Sequence, residues 1–129
     1  MPNNKTKKPK KKILLVEDEE MLVDLYTDAF LMAGYEIISS KSSEEGLQAA
    51  RREKPDLILL DILLPEENGI TFLRRMRKDP ELAGMTVVAT SNYDEAEVKK
   101  EAFSLGVKDY LIKAYFTPRE LIEAVKKYL

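Results

Sequence analysis

The sequence predicts a doubly wound α/β domain, a parallel sheet with helices on both faces. Two observations carry this: five short apolar runs, most of them rich in branched side chains, and five intervening segments whose apolar residues recur every three to four positions. Strict alternation of strand and helix requires crossover connections, and these build a parallel sheet covered on both sides. A chain of 129 residues is long enough to bury one core of this kind without covalent staples.

The first segment, MPNNKTKKPKKK, holds six of the 21 basic residues and no acid, so the remainder carries 15 basic against 23 acidic residues and a net charge of −8. So little apolar content cannot offset the entropy of ordering, and residues 1–11 are expected to form a disordered tail ahead of a domain over 12–129. Clustered lysines attract phosphates, but without arginine or interleaved aromatics no sequence-specific nucleic acid binding is expected. KKILLVED then reads as the first strand, closing on acids. EEMLVDLYTDAFLMAG sets Met21, Leu22, Leu25, Tyr26, Ala29, Phe30 and Ala33 on one helical stripe that ends at Gly34.

YEIISSK is the second strand, and SSEEGLQAARREK a helix capped by Ser42 or Ser43 and ended by Pro55. DLILLDI is the third strand, PEENG a turn, and ITFLRRMRKD a helix stopped near Pro80. TVVATSN is the fourth strand, followed by the helix DEAEVKKEAFSLG and the fifth strand, VKDYLIKA. In FTPRELIEAVKKYL, Thr117 and Glu120 form a capping box, with Pro118 at the first helical position.

The chain has no cysteine and no histidine, which excludes disulfides, thiolate or imidazole metal sites and histidine-based catalysis. No charge-free apolar run approaches the roughly 18 to 20 residues needed to span a bilayer, so a cytoplasmic protein without a membrane span is expected.

In doubly wound sheets ligands sit beyond the carboxyl ends of the strands. Here those ends carry Glu17 and Asp18, Asp61, Ser91 and Asn92, and Lys113. Three carboxylates brought together raise one another's pKa unless a cation compensates them, and an all-oxygen set favours Mg²⁺. An aspartate beside such a cation, a lysine and a hydroxyl is equipped to accept a phosphoryl group, since phosphoryl transfer is largely positioning and charge neutralisation.

These motifs, ILLVEDEE, LILLDILLPEENG with Pro65 and Gly69, VVATSN and DYLIKA, resemble the receiver domain of bacterial response regulators from Lys12 to Leu129. Their spacing, 30 residues from Asp61 to Ser91 and 22 more to Lys113, makes the resemblance specific. It implies a flavodoxin-like (βα)5 fold with strand order 2-1-3-4-5. It also implies that Asp61 takes a phosphoryl group from a phosphohistidine on a sensor kinase or phosphotransfer protein. Glu17, Asp18, Asp61 and the backbone carbonyl of Leu63 would hold Mg²⁺, Lys113 and Ser91 would contact the phosphoryl oxygens, and Tyr110 would turn inward as the switch residue. The output would be a changed surface on the fourth helix, fifth strand and fifth helix, read by a downstream protein or by a second copy, giving a monomer or a phosphorylation-dependent dimer.

Three positions depart from the family pattern or set its kinetics. Ala114 follows Lys113 where the family usually has a cis-proline, so the Lys113–Ala114 bond is open to either isomer. Leu63 and Tyr93, each two residues past a site residue, are bulky and poor at orienting a water, which predicts a slowly hydrolysing phosphoprotein. With the sequence closing after the fifth helix, a stand-alone regulator is expected. A receiver excised from a longer regulator, or one that binds partners without phosphorylation, is the alternative. An aspartyl-phosphate hydrolase is disfavoured because Leu63 occupies the position of its second aspartate.

Overall fold

The computed structural model describes residues 10–64 and 67–129. Most of the expected tail, together with Pro65, lies outside the described residues; Lys10 and Lys11 are exposed and precede the first strand. The elements alternate as expected: β1 Lys12–Val16, α1 Glu20–Met32, β2 Glu36–Ser40, α2 Ser43–Glu53, β3 Leu57–Asp61, α3 Gly69–Lys78, β4 Val87–Ser91, α4 Ala96–Ser104, β5 Asp109–Ile112 and α5 Pro118–Val125. All strand pairs are parallel, and the sheet order is β2-β1-β3-β4-β5.

Two-residue alternation along the strands splits the core into two layers. Leu14, Val16, Ile58, Leu60, Val87 and Ala89 face α2, α3 and α4, meeting Leu47, Phe72, Leu73 and Ala102. Ile13, Leu15, Leu57, Leu59, Val88 and Leu111 face the other way, onto Tyr26 and Phe30 of α1 and Leu121, Ile122 and Val125 of α5. Every residue of β3 and β4 is buried, as befits strands covered on both faces.

The helix boundaries follow local chemistry. Ser42, rather than Ser43, caps α2 by accepting from Glu45 N at 3.2 Å. Asn68 caps α3 by accepting from Ile70 N at 2.8 Å. Thr117 and Glu120 form the expected capping box, with Pro118 at the first helical position. Gly34 ends α1's turn at φ +93, a conformation that excludes most side chains. The fifth strand is shorter than predicted: it ends at Ile112, and Lys113 opens a 3₁₀ turn, Lys113–Tyr115. The Lys113–Ala114 peptide is trans.

Gly69, the first residue of α3, is needed for space. A Cβ there would lie 2.7 Å from Ile62 Cα and 3.0 Å from Asp61 O. Its N–H donates to Ile62 O at 2.7 Å, clamping the helix onto the segment that follows β3. Gly69→Ala is therefore expected to lower stability by about 2 kcal/mol through overpacking against backbone. Chemical denaturation checks this, and an unchanged midpoint would mean the loop yields freely.

Candidate functional site

The parallel order brings the carboxyl ends of β1, β3, β4 and β5 to one edge, and the predicted acids and lysine converge there. One carboxylate oxygen from each of Glu17, Asp18 and Asp61 lies within 4.8 Å of the others. Glu17 and Asp61 are almost completely buried, Asp18 is half-buried, and Lys113 is buried between them.

Lys113 is held more tightly than the sequence suggests. Its Nζ donates to Glu17 Oε1 at 2.6 Å and lies 3.3 Å from Asp61 Oδ2. The resemblance implies a contact from this lysine to a phosphoryl oxygen; in the structure it is engaged by the carboxylates, with Glu17 as its nearer partner. The cause is electrostatic, because two buried carboxylates and one buried cation minimise their energy only by pairing. Backbone donors complete the set: Leu63 N donates to Asp61 Oδ1 at 3.1 Å, and Glu19 N to Glu17 Oε2 at 3.2 Å.

The charge balance leaves Asp61 short of compensation. Burial pushes its carboxyl up to about 7, a rise that Lys113 opposes and Glu17 reinforces. For Lys113, burial acts to lower the pKa, but Asp61 and Glu17 together outweigh it and hold the amine above its ordinary value. A site with three converging carboxylates, one of them driven toward protonation, fits a hard divalent cation by its donor set.

Ser91 is buried at the end of β4, and its Oγ accepts from Tyr93 N at 3.1 Å. Thr90, directly before it, is paired in register with Asp61, and its own hydroxyl points back to Leu60 O at 3.4 Å. Tyr110 is only 5% exposed and packs in the core layer facing α4. Burial raises its phenol pKa, an effect the neighbouring Ser91 side chain partly opposes. Leu63 and Tyr93 are 46% and 58% exposed and flank the site.

One contributor escaped the sequence reading. Tyr26, counted there as an apolar position of α1, is raised chiefly by burial, but its phenol also lies within electrostatic reach of Lys113, Glu17 and Asp61. Only its residue type distinguished it from the leucines around it.

The chain is similar to known proteins in sequence and in fold. A family model described as response regulator receiver domain matches residues 13–126. The alkaline phosphatase synthesis transcriptional regulatory protein PhoP of Bacillus subtilis is 38% identical over 119 residues, covering 92% of this chain and 48% of PhoP. The chain thus spans about half the length of that relative. The polar-differentiation response regulator DivK of Brucella ovis is 36% identical over 123 residues, covering 92% of this chain and 96% of DivK. Among solved structures, a CheY-like response regulator receiver domain protein from Methanospirillum hungatei superposes with a TM-score of 0.84 at 28% identity, covering 92% of this chain and 93% of that one. No helix among the described residues is long and apolar enough to cross a membrane. Fold, strand-end acids and sequence agree, and the chain belongs to the response regulator receiver domain family.

Proposed function

We propose that the chain receives a phosphoryl group on Asp61 from a phosphohistidine of a sensor kinase or phosphotransfer protein, and signals through the face formed by α4, β5 and α5. The observation that carries this is the buried Asp61 carboxylate, set between a lysine and two further acids at the sheet edge. An Asp61 oxygen attacks phosphorus, the bond to the imidazole nitrogen breaks, and the imidazole leaves with the electron pair. Glu17, Asp18, Asp61 and the carbonyl of Leu63 would hold Mg²⁺, which when bound neutralises the carboxylates and the incoming phosphoryl oxygens.

Lys113 exchanges its Glu17 contact for a phosphoryl oxygen, a short move because both carboxylates already lie within 3.3 Å of its Nζ. Ser91 gives up its contact with Tyr93 N and donates to a second oxygen. That change beside the buried Tyr110 is passed to the surface of α4 and β5, the bistable element the signal biases. A stand-alone regulator in the cytoplasm, acting on a downstream protein, is the reading that the nearly full-length match to DivK supports.

Mass spectrometry after incubation with Mg²⁺ and a small phosphodonor tests the assignment. The wild type is expected to gain one phosphate and Asp61→Asn none. No adduct on the wild type would leave a phosphorylation-independent binding module instead. Leu63 is apolar and Tyr93 is bulky, with its hydroxyl at the far end of the ring, so neither readily orients a water at phosphorus and the adduct is expected to persist for minutes. A lifetime of seconds would overturn the role given to these two side chains.

A further inference from the structure

The segment leading away from Asp61 is fastened twice over. Its backbone closes on itself, with Gly69 N donating to Ile62 O at 2.7 Å and Leu63 paired antiparallel with Asn68. One of its side chains, Glu67, is also tied from outside by Arg75, two turns into α3. Arg75 Nη1 donates to Glu67 Oε2 at 3.0 Å and to Oε1 at 3.3 Å, while Nη2 donates at 2.8 Å to Glu44 Oε2 in the first turn of α2.

One guanidinium thereby joins α3, α2 and the loop after β3. Its planar fork suits this task, since it offers separate N–H edges to two carboxylates at once, whereas an ammonium is a single point charge. The Glu67 side chain is 19% exposed against 63% for Glu44, so the contact to the loop is the better shielded of the two. Among the described residues none of the three pairs with Glu17, Asp18, Asp61 or Lys113. The network therefore lies outside the strand-end cluster and reaches it only through the backbone.

We propose that Arg75 is a positioning residue for the metal site. By holding Glu67 it fixes the loop after β3, and with it the Leu63 peptide, whose carbonyl is one of the groups proposed to hold Mg²⁺; the inference rests on that reading. Leu63 is where loop and site meet. Its N–H donates to Asp61 Oδ1 at 3.1 Å, and its partner across the loop, Asn68, is the chain neighbour of Glu67. Releasing Glu67 widens the range of orientations open to the Leu63 peptide, and a ligand group that must be ordered at the moment of binding lowers affinity. Charge and positioning act in opposite directions here. Loss of a cation makes the acidic edge more negative and by Coulomb attraction alone strengthens Mg²⁺ binding, whereas loss of positioning weakens it. Salt screens the first effect and leaves the second, so weaker binding is the net result at physiological ionic strength.

Titration of Mg²⁺ into the metal-free full chain, followed by amide NMR shifts, tests the proposal. The wild type is expected to bind Mg²⁺ and Arg75→Ala to bind it about threefold to fivefold more weakly. Arg75→Lys, which keeps the charge but not the fork, is expected to fall between them. In EDTA the Leu63 amide of Arg75→Ala should exchange faster with solvent than in the wild type, while the amides of β3 keep their protection. Arg51→Ala, which removes a comparable exposed ion pair from α2 to Asp79 at the end of α3, should leave both readings at wild-type values. An Arg75→Ala variant that binds Mg²⁺ as tightly as the wild type or more so, an unchanged Leu63 exchange rate, or an equal loss in Arg51→Ala would each overturn the positioning role and leave the metal reading standing. A wild type that takes up no Mg²⁺ would overturn both.

Discussion

Replacing Lys113 by methionine is expected to lower stability at about pH 8 by about 3 kcal/mol. Methionine keeps the length and apolar stem of the side chain, so the loss reports the charge. In the wild type the amine sits 2.6 Å from Glu17 and 3.3 Å from Asp61. Without it, two buried carboxylates face each other with no cation among their protein neighbours, and breaking a buried pair in this way is among the larger single-residue penalties.

The pH dependence separates this from lost packing. Because Lys113's folded pKa is raised, its stabilising contribution is fully present below the ordinary lysine value and is lost only as pH rises through the folded one. Across neutral pH the lysine in the wild type therefore contributes constantly. In the variant Asp61, already raised to about 7 in the wild type, takes up a proton as pH falls, so the deficit should shrink between about pH 8 and pH 4. Urea denaturation of both proteins across that range measures it. A deficit independent of pH would assign the effect to packing and sink the electrostatic account.

Much of this site was readable because it is built where periodicity changes. A run such as Leu57–Leu60 is buried on both faces, so the first charged residue after it, Asp61, must stand at the sheet edge. The same reasoning placed Glu17 after Val16 and Lys113 after Ile112. Parallel topology then required these edges to coincide. What the pattern could not supply was which carboxylate Lys113 prefers, since that depends on ångström-scale geometry between residues 96 positions apart.

Two further features show where the limit lies. A helical period identifies a stripe but not how much of it is covered: Met21 and Leu25 belong to the apolar stripe of α1 and yet face solvent. Arg77 reads as an ordinary cation at the end of α3. In the structure its guanidinium donates to the carbonyls of Ala83, Met85, Leu105 and Gly106, fastening the loops before β4 and β5 to one another. Nothing in its neighbours' residue types marks such a role, because backbone carbonyls are available at every position.

Asp61→Asn is expected to do the opposite of Lys113→Met and stabilise the domain. Asp61's carboxyl stands at about 7 in the folded chain against 3.8 as its ordinary value. Folding therefore binds a proton between those values, and the group's effect is to make stability fall as pH rises from about 4 to about 7, with the full penalty present above that range. In EDTA at about pH 8, the asparagine variant should be more stable by about 2 to 3 kcal/mol, the full shift setting an upper bound of about 4. At about pH 4 the two proteins should be nearly equal, because the wild-type carboxyl is then neutral as well. Asparagine keeps an acceptor for Leu63 N, which lies 3.1 Å from Oδ1, and its amide can donate toward Glu17, so no buried polar atom is orphaned. Urea midpoints across this range decide the matter: parallel pH profiles for wild type and variant would show that the carboxylate is not held at a penalty. A gain confined to neutral and alkaline pH would mean that the fold carries an unfavourable ionised group at the position proposed to accept the phosphoryl group, stability given up for what that role requires.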